Sequence, residues 1–188
     1  LRALSFTVPK SLQWLDLHQN AITGLENYFS SSENTITEDR KLAHIDASFN
    51  HIKELGPQNV PNSIQTIILN DNNIATIVPY TFFKKEHLQR VDLTLNEMKT
   101  INRNAIRLSA ELISTSSSLP KFFFGGNPIR CDCHMAWFKS VNSENSIQNY
   151  PIIADLESIY CELLHSKEST VIPLVEANTE AVSYTHLT

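Results

Sequence analysis

The 188-residue chain lacks most of the features that mark a functional class. No apolar run approaches the ~18–20 residues needed to cross a bilayer, so no membrane span is expected. Basic residues are outnumbered, 15 Lys and Arg against 20 Asp and Glu, giving a formal net charge of −5. A phosphate-binding surface needs a basic stripe, so nucleic acid is not an expected partner. No G-x-S-x-G, H-E-x-x-H or P-loop occurs, and the seven histidines show no base-and-nucleophile arrangement. Catalysis and a bound cofactor are therefore not expected. There is no N-x-S/T sequon, and the opening LRALSFTVPK has no charged region followed by an apolar run, as a signal peptide would. Cysteine is scarce, at three residues. The material for a core is present, since 41% of the residues are hydrophobic and 19% are charged.

What the chain does have is a pattern, L-x-x-L-x-L-x-x-N-x-I, five times over. The copies run Leu12, Leu15, Leu17, Asn20, Ile22; Leu42, Ile45, Ala47, Asn50, Ile52; Ile64, Ile67, Leu69, Asn72, Ile74; Leu88, Val91, Leu93, Asn96, Met98; and Leu119, Phe122, Phe124, Asn127, Ile129. This is the leucine-rich-repeat signature, in which each copy is one unit that buries its apolar face only by stacking on neighbours. The expected fold class is α/β: a solenoid with a short parallel sheet on the concave face and an irregular or helical convex side. Residues 12–118 hold four repeats, and 119–182 hold the last repeat and a C-terminal cap. Leu1, Leu4 and Phe6 in 1–11 read as the remnant of a preceding repeat.

Alternation along each strand sends Leu15 and Leu17 inward and Trp14, Asp16 and His18 outward. Three outward columns follow. One holds Trp14, His44, Thr66, Arg90 and Lys121; the next Asp16, Asp46, Ile68, Asp92 and Phe123; the third His18, Ser48, Asn70, Thr94 and Gly125. The mixture of aromatics and charge suits protein recognition better than a small-molecule pocket, although an Asp row also makes a merely soluble face. The candidate binding residues are Trp14, Asp16, His18, His44, Asp46, Thr66, Ile68, Asn70, Arg90, Asp92 and Thr94. Asn20, Asn50, Asn72, Asn96 and Asn127 sit where the chain leaves the strand, and their amides are expected to bond backbone groups the turn leaves unpaired. The period is irregular. Extra residues lie at 30–40, a polar loop, and at 102–118, where Ala105, Ile106, Leu108 and Leu112 predict a helical turn or two.

After Asn127, Pro128 stops strand pairing and Cys131-Asp132-Cys133-His134 follows, with Cys161 further on. Met135, Trp137, Phe138 and Val141 predict a short amphipathic helix covering the last repeat, so the cap is expected to contain α structure. The cysteines admit three readings. One is an extracellular disulfide cap joining Cys131 to Cys161 across a loop of about thirty residues, a closure worth roughly 3–4 kcal/mol. A zinc site of Cys131, Cys133, His134, Cys161 and His165 has the ligand types but not the paired C-x2-C spacing. Three reduced thiols in a cytosolic protein is the third reading. The disulfide cap is preferred.

GGNPIRCDCHMAWF, YPIIADLESIYCELLHSKES and VIPLVEA resemble the carboxy-terminal cysteine cap of Toll receptors, in particular the long insect Tolls. The resemblance runs from residue 12 to about 180. It implies four cap cysteines, bonded first to third and second to fourth, hence Cys131 with Cys161 and Cys133 with a cysteine shortly after Glu176. No such cysteine is present, which leaves Cys133 unpaired and suggests truncation; SYTHLT (183–188) continues no pattern and reads as a non-native tail. The resemblance further implies a protein ligand, either a cysteine-knot cytokine of the Spätzle type or another receptor ectodomain. It places the intact protein on the extracellular side of the plasma membrane, in innate immune or developmental signalling. The alternative is an adhesive or guidance leucine-rich-repeat protein.

Overall fold

The computed structural model describes residues 8–25, 41–115, 118–143, 149–165 and 168–178. The polar insertion at 30–40, the opening residues Leu1, Leu4 and Phe6, and the 183–188 tail lie outside them. In chain order the strands are β1 (Trp14–Asp16), β2 (His44–Asp46), β3 (Glu54–Leu55), β4 (Thr66–Ile68), β5 (Thr76–Ile77), β6 (Arg90–Asp92) and β7 (Lys121–Phe123). β8 (Ile129–Arg130), β9 (Ile152–Ile153), β10 (Tyr160–His165) and β11 (Glu168–Pro173) follow.

Six of these form one parallel sheet in the order β1-β2-β4-β6-β7-β9. The central residue of each three-residue strand is apolar and buried, Leu15, Ile45, Ile67, Val91 and Phe122, as is Ile153, the second residue of β9. One strand with a single inward side chain cannot sustain a core, so each depends on its neighbours. A second, two-stranded parallel pair, β3 with β5, runs along the convex side. The helical content expected in 102–118 is split. A 3-10 turn spans Arg103–Ala105, and the one α-helix described, α1, spans Ala110–Thr115.

The asparagines join successive repeats. Asn72 is 6% exposed; its Nδ2 donates to Leu69 O at 3.1 Å in its own repeat and to Ala47 O at 2.9 Å in the one before. Its Oδ1 accepts from Ile52 N of that preceding repeat at 3.0 Å. Asn50 repeats this with Ile22 and Leu17, Asn96 with Ile74 and Leu69, and Asn127 with Met98 and Leu93. Each amide thereby satisfies groups that the turn would strand in the core. The residue before each asparagine is left-handed: Gln19, Phe49, Asp71, Leu95 and Gly126, with φ from 53° to 74°. Only the last is glycine. A Cβ added there would also approach Leu95 Cδ2 to 2.5 Å.

The cap supplies what the sequence pattern does not announce. β9 is a sixth rung with no asparagine. Beyond it, Asp155 Oδ2 accepts from Phe124 N at 3.0 Å, the amide whose equivalents in earlier rungs donate to a carbonyl of the following repeat. It also accepts from Gly125 N at 2.7 Å, whose equivalents at His18, Ser48 and Thr94 donate to the aspartate of their own strand. The outer edge of β9 is closed by Asn142, whose amide bonds both Ile153 O (2.8 Å) and Ile153 N (2.9 Å). The helix expected after Cys133 is present and winds as a 3-10 helix, Cys133–Ser140, begun by the Asp132 carboxylate accepting from His134 N. It buries Met135, Phe138 and the following Val141 against the last repeats, and the Met135 sulfur accepts from Ile101 N at 3.3 Å. Edge-to-face contacts, Phe82 on Phe122 and Phe124 on Phe138, carry the core into it. β8, β10 and β11 make a small sheet over the end, with Cys131 bonded to Cys161, Cα atoms 5.1 Å apart. That bond excludes the zinc reading, because a disulfide sulfur is not a thiolate ligand. Cys133 is an exposed free thiol.

Two outcomes are expected. Asn72→Ala removes bonds to two repeats and leaves buried groups unpaired, costing about 2–4 kcal/mol by urea unfolding, and more than Asn20→Ala at the half-buried first rung. A loss below about 1 kcal/mol contradicts the ladder's role. Cys131→Ser with Cys161→Ser costs roughly 3–4 kcal/mol, and thiol-labelling mass spectrometry of the oxidised wild type finds one reactive thiol, at Cys133. Three reactive thiols contradict the cap.

Candidate interaction face

Parallel pairing without a register shift aligns the outward side chains into rows. Trp14, His44, Thr66, Arg90 and Lys121 lie across one another from β1 to β7, as do Asp16, Asp46, Ile68, Asp92 and Phe123. These columns are the ones alternation predicts. The third column differs at one place: Ser48 is 6% exposed. Its hydroxyl turns back to donate to Asp46 Oδ1 at 2.6 Å, so it is a turn residue rather than a surface contact. Asn70 donates its amide to Asp71.

The aspartate row has a local structural use. Asp46 Oδ1 also accepts from Ser48 N, Asp16 Oδ1 accepts from His18 N, and Asp92 Oδ1 accepts from Thr94 N and Oγ1. Each carboxylate closes the turn that ends its own strand. Only Oδ1 of Asp16 and Asp46 is used this way among the described residues. Rows also pair between strands. The Trp14 and His44 rings lie 4.9 Å apart, and Trp14 is 59% exposed. At the other end the Arg90 guanidinium sits 4.1 Å over the Phe123 ring and 2.8 Å from Asp92 Oδ2.

His18 Nδ1 lies 2.6 Å from Asp16 Oδ1, both side chains half exposed. The hydrogen bond to Asp16, then its charge, and more weakly that of Asp46, raise the imidazole above its usual 6.5. The hydrogen bonds from His18 hold the Asp16 carboxyl below its usual 3.8. The histidine's contribution to stability is therefore complete below 6.5 and is lost as pH rises through its raised value. That of Asp16 is present above 3.8 and is lost as pH falls through its lowered value. Between those limits the pair is charged. Among the described residues no group of three or more His, Cys, Asp or Glu could hold a metal.

A parallel sheet of short rungs, an asparagine ladder and a disulfide-bonded end define a leucine-rich-repeat solenoid with a C-terminal cysteine cap. Its sequence is similar to Toll-like receptor 7 of Drosophila melanogaster, 35% identical over 167 residues that cover 89% of this chain and 11% of that protein. The Toll resemblance read from the cap is thus borne out as homology. A zebrafish leucine-rich repeat and fibronectin type III domain-containing protein 1-like protein is 26% identical over 71% of this chain and 20% of its own length. The chain therefore spans a small part of each relative. The crystal structure of human 5T4, trophoblast glycoprotein, matches the fold with a TM-score of 0.54 at 20% identity, covering 74% of this chain and 47% of that one. No family model matches. These relatives and the disulfide support an extracellular, protein-binding repeat protein, and no helix described is long and apolar enough to cross a membrane.

The His18–Asp16 pair is open to direct measurement. In an NMR titration the His18 ring titrates above 6.5 in the wild type and at a lower pH in Asp16→Asn; the same midpoint in both contradicts the pairing.

Proposed function

We propose that the chain is a protein-binding segment of a Toll-type receptor ectodomain, acting in ligand binding or receptor association for innate immune or developmental signalling. The observation that carries this reading is the continuous face formed by β1, β2, β4, β6 and β7. It sets aromatic and charged side chains in register, with the indole of Trp14 exposed. Exposed aromatics and arginine beside fixed charges are the groups that carry binding energy between proteins. The similarity to the Drosophila receptor supports the Toll assignment. By the same resemblance the partner is a cytokine of the Spätzle type or another receptor ectodomain, met on the extracellular side of the plasma membrane. No catalytic step belongs to this role. A second reading, an adhesive or guidance protein, draws support from the fibronectin-type-III relative.

The test is surface plasmon resonance of the immobilised, oxidised chain against a Spätzle-type cytokine and against Toll ectodomains. Binding that weakens about tenfold or more in Trp14→Ala or Arg90→Ala is the expected result. Binding unchanged in both variants removes the face from the account, and binding to adhesion-protein ectodomains alone selects the second reading.

A further inference from the structure

The charges on the face are not evenly distributed. Across β1 and β2 they are acidic: Asp16 and Asp46 lie side by side, each with its Oδ2 unused among the described residues, beside the stacked Trp14 and His44. His18, bonded to Asp16, is the cationic group there. At β4 the face is neutral, with Thr66 and Ile68. Across β6 and β7 it turns basic: Arg90 and the exposed Lys121 lie side by side, and Asp92 is only 14% exposed beneath the Arg90 guanidinium. Each end also offers an aromatic surface, Trp14 with His44 at one and Phe123 under Arg90 at the other.

We propose that this face takes an extended protein segment in one polarity, with a basic side chain over Asp16, Asp46 and Trp14, a small or apolar stretch over Ile68, and an acidic side chain over Arg90 and Lys121. The inference rests on reading the face as a protein-binding surface, and adds the chemistry and direction of the bound segment. Its dimensions follow from the sheet. Parallel strands stand ~4.8 Å apart, so the centres of the acidic and basic ends are three spacings, or about 14 Å, apart. An extended chain rising ~3.4 Å per residue covers that in about four residues. A basic and an acidic side chain four positions apart would meet both ends; two positions apart they would not. A cation lodged between two carboxylates and an indole face gains from charge and from the ring together.

The experiment uses the whole oxidised chain and a blocked peptide containing Arg-Thr-Val-Thr-Glu between glycine-serine flanks, spin-labelled at one end or the other. With the label at the arginine end, paramagnetic broadening is expected at amides of β1 and β2; with it at the glutamate end, at β6 and β7. Asp16→Asn with Asp46→Asn keeps the turn-closing oxygen while removing the charge. It should weaken the peptide about tenfold at low salt and much less at high salt, with the native circular dichroism spectrum retained. A peptide with Arg and Glu two positions apart should bind comparably weakly. Equal broadening at both ends, contact elsewhere on the chain, or no detectable peptide binding overturns the proposal. A natural partner that binds through Trp14 and Arg90 while ignoring these charges would overturn it and leave the proposed function standing.

Discussion

One side-chain amide bound simultaneously to two repeats is the interaction on which the remainder of this molecule depends. A three-residue strand followed by a sharp turn strands backbone N–H and C=O groups inside the core, where leaving one unpaired costs about 1–3 kcal/mol. Asn50, Asn72, Asn96 and Asn127 remove that cost by reaching back to the previous turn. A repeat is thereby complete only when its successor is in place. Stability becomes a nearest-neighbour property, and bulky Phe49 and Leu95 are held left-handed at roughly 1–2 kcal/mol each.

A ladder of this kind has an end to close. Here the closure is chemical substitution: a carboxylate of Asp155 for the missing carbonyl opposite Phe124 N, an amide of Asn142 for the missing strand, a Met135 sulfur as acceptor for Ile101 N. The Cys131–Cys161 bond then fixes the small sheet above them. The same arrangement leaves the outward side chains of five aligned strands uncovered and rigidly spaced. The core draws on the inward side of these strands, while the Asp row on the outward side closes their turns.

The five repeats were legible because backbone geometry demands both the apolar slots and the asparagine, so neither can drift. The columns of the face followed from alternation alone. The sixth strand is not legible in the sequence: Ile152–Ile153 carries one inward residue and no ladder asparagine follows it. The cap helix is visible as a pattern of Met135, Trp137, Phe138 and Val141, of which Trp137 is only partly buried, but apolar spacing does not separate 3-10 from α winding over two turns. Cross-strand partners such as Trp14 with His44 and Arg90 with Phe123 depend on rotamers that sequence does not encode. Ser48 was expected outside because its position alternates outward, and its hydroxyl bond to Asp46 turns it in.

The most direct measurement is native-state hydrogen exchange at Ile22, Ile52, Ile74 and Met98, whose amides donate to Asn50, Asn72, Asn96 and Asn127. If the ladder couples the repeats, all four exchange slowly and with similar protection, as one cooperative unit. Exchange at the rate of exposed loop amides, or protection scattered independently from rung to rung, would contradict it.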